Sequence, residues 1–224
     1  MSLLERRARP LAKVCGLTRE DDVRAALDAG ADLIGLVVHP PSPRHLDEAR
    51  LAELARLVRG LGGASVLVVV DAERAAVEAL VGAMDLDAVQ LCGSERPEDW
   101  RGAPFPLLRR LGVDGAAPEE LGRWRDVAGA FVLDHPAAPG GTGRAVDLAR
   151  AAALARQAPC LLAGGLDADA VAAFERPQDL LGFDASSRLE SSPGRKDPGA
   201  VRRYVAAVHA AVSHTEGPRG SAPR

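Results

Sequence analysis

Short apolar runs of strand type alternate with amphipathic helical segments along this chain, and they do so eight times between residues 11 and 212. The run at 33–38, LIGLVV, is the clearest: it has no polar residue at any position. A strand with one wet face alternates polar and apolar residues, whereas a strand covered on both faces by helices does not. Runs of the same type lie at 11–17, 65–70, 88–92, 106–111, 131–134, 160–163 and 180–185. Between them the period changes to that of a helix. Leu51, Leu54, Ala55 and Val58 fall at i, i+3, i+4 and i+7, and Val201, Tyr204, Val205 and Val208 share one face of the last helix, expected over 198–212. Thr18, Arg19, Glu20 and Asp21 read as a capping box opening the first helix, which Gly30 stops. Further helices are expected over 73–84, 96–100, 118–125, 147–157 and 169–175.

Eight strand–helix units in about 200 residues lie near the lower size limit of a (β/α)8 barrel. The competing arrangement is an open doubly wound sheet, which usually carries a glycine-rich fingerprint after its first strand. Here the glycine-rich segments follow the sixth and seventh strands instead. The expected architecture is therefore α/β, a single (β/α)8 TIM barrel over 11–212. An N-terminal extension covers 1–10, and a polar tail over 213–224 is expected to be disordered. Four Phe, two Trp and one Tyr leave the core to be built mainly of Leu, Val and Ala.

A barrel gathers the C-terminal ends of its strands on one rim, and the residues there carry the chemistry. Cys15 ends the first strand and Asp134 the sixth, so the two face each other across the mouth and can bracket a small substrate. A thiol with a lowered pKa serves as a general base, and a carboxyl with a raised one as a general acid. A buried structural thiol is the competing reading for Cys15. Lys13 lies on the same face as Cys15, where it either sets the thiol's charge environment or pairs inside the barrel with a carboxylate such as Asp184. Glycines let backbone N–H groups approach an anion. Gly140, Gly141, Thr142 and Gly143 after strand six, Gly164 and Gly165 after strand seven, and Ser186 and Ser187 after strand eight therefore suggest a phosphate site. Arg44 sits in the proline-framed loop after strand two, where its guanidinium can fork onto a substrate carboxylate. His39 and His45 lie in the same loop and read as surface residues.

A net charge of -3 and the lack of a basic run with interleaved aromatics give no reason to expect a nucleic-acid partner. No apolar run reaches the length of about 18 residues that would suggest a membrane span, and residues 1–10 have no apolar core of signal-peptide length. Cys15, Cys92 and Cys160 are too far apart for a disulfide framework or a zinc site, so a reducing, cytoplasmic setting and no metal are expected. Monomer and homodimer both remain open.

The segments Lys13-Val14-Cys15-Gly16-Leu17-Thr18, Ala29-Gly30-Ala31-Asp32, Ser42-Pro43-Arg44, Val89-Gln90-Leu91, Gly140-Gly141-Thr142-Gly143, Leu162-Ala163-Gly164-Gly165-Leu166 and the run from Glu190 through Pro198 occur in that order. Together they resemble the phosphoribosylanthranilate isomerases of tryptophan biosynthesis, over nearly the whole chain. The resemblance implies a cofactor-free Amadori rearrangement of a small phosphorylated ribosylamine. It implies Asp134 as the general acid toward the ring oxygen, Cys15 as the general base toward C2, Arg44 on the anthranilate carboxylate, and the glycine and serine loops on the phosphate. Three positions depart from the family pattern. Cys92 stands where His is usual, Arg188 where Gly is usual, and Pro41 where Lys is frequent. These departures leave room for a paralogous isomerase of another amino-sugar phosphate, or for a barrel that binds a phosphorylated ligand without turnover.

Overall fold

The computed structural model describes residues 3–4, 9–136 and 146–211. Eight parallel strands close into a barrel in sequence order: β1 (Leu11–Cys15), β2 (Leu33–Val38), β3 (Ala64–Val69), β4 (Ala88–Leu91), β5 (Leu107–Gly112), β6 (Ala130–Asp134), β7 (Cys160–Leu162) and β8 (Gly182–Ala185). The last strand pairs with the first, with Lys13 opposite Asp184 and Val14 opposite Ala185. Each strand leads into a helix: α1 (Glu20–Asp28), α2 (Glu48–Gly60), α3 (Arg74–Met84), α4 (Pro97–Trp100), α5 (Ala117–Trp124), α6 (Leu148–Ala155), α7 (Ala168–Ala172) and α8 (Pro198–Ala210). The expected (β/α)8 architecture is the observed one.

Side chains alternate between the two faces of each strand, so the core has two parts. Outward residues such as Val14, Ile34, Leu67, Val89, Phe131 and Phe183 pack beneath the helices. Inward residues fill the barrel, among them Leu11, Leu33, Val66, Ala88, Leu108, Ala130 and Leu161. Leu4 is buried in this inner cluster. Above the apolar floor the inward positions turn polar: Lys13, Gln90 and Asp184 are all buried. The inward-facing polar residues of the strands thus lie above the apolar floor, toward the cavity side of the barrel.

Helix starts follow local chemistry. Asp47, Asp147, Asp167 and Asp197 cap α2, α6, α7 and α8, each accepting a hydrogen bond from the backbone N–H three residues on. The expected capping box at Thr18 does not form. Arg19 occupies the cap position without a side-chain bond, because the Thr18 hydroxyl donates instead to the carbonyl of Gly194, 2.6 Å away. Gly194 belongs to a small antiparallel hairpin, β9 (Glu190–Ser192) and β10 (Arg195–Lys196), inserted between β8 and α8. The expected tail over 213–224 lies outside the described residues.

Candidate active site

One cavity of about 520 Å³ opens at the C-terminal ends of the strands, within the range of small-molecule sites. Its walls include Cys15, Arg44, Asp134, Gly164, Gly165, Ser186 and Ser187. Gly140, Gly141, Thr142 and Gly143 lie outside the described residues. His39, expected at the surface, also lines the cavity. Its backbone N–H donates to Nδ1 of His45, which is exposed. Among the described residues there is no group of three or more His, Cys, Asp or Glu side chains placed to hold a metal ion.

Cys15 ends β1 on the inward face, above Lys13. The Lys13 ammonium donates to Asp184 Oδ2 at 2.9 Å, and both side chains are buried. Burial alone would push the ammonium down, yet the Asp184 carboxylate and the Cys15 sulfur outweigh it and hold Lys13 above its ordinary value. Burial pushes the Cys15 thiol up, and the two lysines Lys13 and Lys196 oppose that shift while Asp184 reinforces it. Tight packing fixes the thiol. A Cβ on Gly35 would lie 2.6 Å from Cys15 Sγ. The Ser186 hydroxyl donates to the Cys15 carbonyl at 2.9 Å. That bond turns the Ser186 hydroxyl hydrogen toward β1, so of the serine pair expected to meet phosphate, one hydroxyl already holds Cys15.

Across the mouth, Asp134 ends β6 with both carboxylate oxygens engaged. Oδ1 accepts from the His135 backbone N–H at 2.8 Å, and Oδ2 accepts from Arg110 Nε at 3.1 Å. Arg110 was not singled out from the sequence. Strand period supplies the missing signal: in Leu108-Arg109-Arg110-Leu111 the two arginines must face opposite ways. Arg109 faces out, paired with Glu95 at 2.6 Å and lying over the Trp124 ring at 4.8 Å. Arg110 faces into the cavity.

Arg44 differs from its sequence expectation. Its fork is already matched by a protein carboxylate: Nε and Nη2 meet the two oxygens of Glu190 at 2.8 and 2.7 Å. The β9–β10 hairpin brings Glu190 there, and the buried Lys196 ammonium donates to the same carboxylate at 2.9 Å. The hairpin was invisible to apolar periodicity because its residues are polar and few. Arg44 still lines the cavity beside Cys15, over Gly16, whose φ of +74° and lack of a Cβ let Arg44 Cδ approach.

Directly after β7, Gly164 and Gly165 adopt φ of +84° and +70°, a left-handed pair that only glycine takes without strain. Beside them lie Ser187 and the exposed Arg188. Cys92, the residue in the usual His position, is pushed up to about 12 by burial, with the Gln90 amide 3.2 Å away opposing. It is therefore a neutral thiol near pH 7.

A family model described as N-(5'-phosphoribosyl)anthranilate isomerase matches residues 12–207. The chain belongs to this family. It is 41% identical over 217 residues to the N-(5'-phosphoribosyl)anthranilate isomerase of Chromohalobacter salexigens, covering 94% of this chain and 97% of that protein. Identity to the corresponding isomerase of Halorubrum lacusprofundi is also 41%, over 87% of this chain and 94% of that one. Among solved structures, phosphoribosyl anthranilate isomerase from Thermus thermophilus superposes with a TM-score of 0.75 at 28% identity, covering 89% of this chain and 98% of that one. No helix among the described residues is long and apolar enough to cross a membrane.

Proposed function

We propose that the chain catalyses the Amadori rearrangement of N-(5-phosphoribosyl)anthranilate to 1-(2-carboxyphenylamino)-1-deoxyribulose 5-phosphate, an aldose–ketose isomerisation in tryptophan biosynthesis. The observation that carries it is a thiol and a carboxyl, Cys15 and Asp134, lining one cavity in a chain of this family.

In this reading the Asp134 carboxyl gives its proton to the ribose ring oxygen. The C1–O bond breaks with its electron pair going to that oxygen, while the nitrogen lone pair forms a C=N bond. The Cys15 thiolate then takes the proton from C2, and the enolamine tautomerises to the ketone. Lys13 and Lys196 favour that thiolate against the cost of burial. The substrate phosphate sits against the backbone of Gly164, Gly165 and Ser187, and the glycines Gly140, Gly141 and Gly143 with Thr142 complete its grip. Arg44 faces the anthranilate carboxylate with the edge of its guanidinium that Glu190 leaves over.

The test is complementation of a tryptophan auxotroph lacking this isomerase, paired with turnover of the fluorescent anthranilate adduct by the purified protein. Growth and turnover are expected. A folded protein that neither rescues growth nor turns the adduct over contradicts the assignment.

A further inference from the structure

Asp134 sits in a closed ring of hydrogen bonds that no role above explains. Its Oδ1 accepts from His135 N–H at 2.8 Å, its Oδ2 accepts from Arg110 Nε at 3.1 Å, and Arg110 Nη2 donates to the His135 carbonyl at 2.8 Å. A carboxyl held at one oxygen can still swing about its last torsion, whereas one held at both cannot. The guanidinium reaches side chain and backbone together because its N–H groups are rigidly coplanar. A lysine ammonium at the same position is a single point and cannot span the two acceptors in that plane.

The backbone supports the same placement. Gly112 pairs with Asp134 across β5 and β6, and Val113 N–H donates to the Asp134 carbonyl at 2.9 Å. A Cβ on Gly112 would lie 2.9 Å from Pro136 Cα, so the absent side chain lets the segment after β6 lie directly on β5. Arg110, two residues earlier on the same inward face, is thereby aligned with the carboxyl rather than with the apolar floor at Leu108. Both side chains are mostly shielded, at 14% and 15% exposure, and both line the cavity with Val132 between Asp134 and the floor.

We propose that Arg110 is a positioning residue for the isomerisation: it aims the Asp134 carboxyl at the substrate ring oxygen and stands opposite the carboxylate left when the proton has gone. The proposal rests on the assignment of Asp134 as proton donor. Arg110 itself forms no bond to the reacting atoms. Its effect is realised in the step where charge appears on Asp134, so it belongs to kcat rather than to substrate affinity.

The test is steady-state turnover of N-(5-phosphoribosyl)anthranilate by the full chain and by Arg110→Ala, Arg110→Lys and Arg110→Gln. For Arg110→Ala, kcat is expected to fall about 100-fold, the scale of a misplaced reacting group, with little change in KM. Added guanidinium ion at sub-denaturing concentration restores much of that loss, and Arg110→Lys does not recover it. If Arg110→Ala is not soluble, Arg110→Gln is measured in its place, with the same expected fall. An unchanged kcat overturns the proposal, as does a rise in KM alone, which would make Arg110 a substrate contact. Full recovery by Arg110→Lys also overturns it, leaving simple charge as the explanation. An unaltered chain without turnover contradicts the assigned reaction instead, whereas equal kcat in it and in Arg110→Ala removes only the role of Arg110.

Discussion

The Lys13 ammonium lies 2.9 Å from Asp184 Oδ2 inside the barrel, on neighbouring strands whose residues pair in register, and neither side chain is more than 7% exposed. A buried charge without its partner is costly, so removing one member of such a pair costs about 3–5 kcal/mol. Lys13→Met keeps most of the side-chain volume and is expected to lose stability on that scale in urea unfolding. A Lys13→Met/Asp184→Leu double variant regains most of it, and equal midpoints for single and double variants would show that the pair is not what matters.

The buried thiol beside that lysine sets a pH dependence. Burial raises the Cys15 thiol above its ordinary value, so the thiolate fraction grows as pH rises through and beyond the normal thiol range. Activity that needs the thiolate therefore rises with pH on its acid side, and so does alkylation of Cys15 by iodoacetamide. Mass spectrometry of the modified peptide distinguishes Cys15 from Cys92, which stays a thiol until about pH 12. A Cys15 alkylation rate that is flat from neutral pH upward would contradict the shift.

Glu190 gives the opposite sign. Burial would raise its carboxyl, but Arg44 and Lys196 outweigh burial and hold it below its ordinary value. A folded-state value below the unfolded one means that the stabilisation is complete above the unfolded value. It is lost only as pH falls through the lower folded value. The stability gap between the native chain and Glu190→Gln is thus expected to persist through mildly acid pH and to close at strongly acid pH. A gap that closes near neutrality would refute the triad of Arg44, Glu190 and Lys196.

Gly16 lies between the thiol and the Arg44 fork. Alanine there meets both a left-handed φ and a clash of its Cβ with Arg44 Cδ. Gly16→Ala is expected to cost about 1–3 kcal/mol from backbone strain and to raise KM more than it lowers kcat, because the arginine must move. Unchanged KM and stability would mean that the loop has room to adjust.

The alternation of apolar runs with helical periods was sufficient to read the barrel and all eight strands, because burial on both faces leaves a continuous apolar signature. Cys15, Asp134 and Gly164 could be expected at the cavity, which they line, because they end or directly follow such runs. Lys13 with Asp184 could be anticipated from strand period alone. What stayed hidden was held by polar contacts far apart in sequence. Arg44 meets Glu190 across 146 residues, and Thr18 meets Gly194 across 176. Neither pairing has a local pattern. Arg110 was hidden by its neighbour, since a pair of arginines reads as surface unless each is assigned a face.

The central claim is that one thiol and one carboxyl share the work across a single sugar. It is tested most directly by single-turnover conversion of N-(5-phosphoribosyl)anthranilate by the native chain, Cys15→Ala and Asp134→Asn under identical conditions. Each variant is expected to lose about 10²–10⁴-fold in rate, the range for removing a general acid or base, while still binding the product. Native rates in both variants would contradict the account.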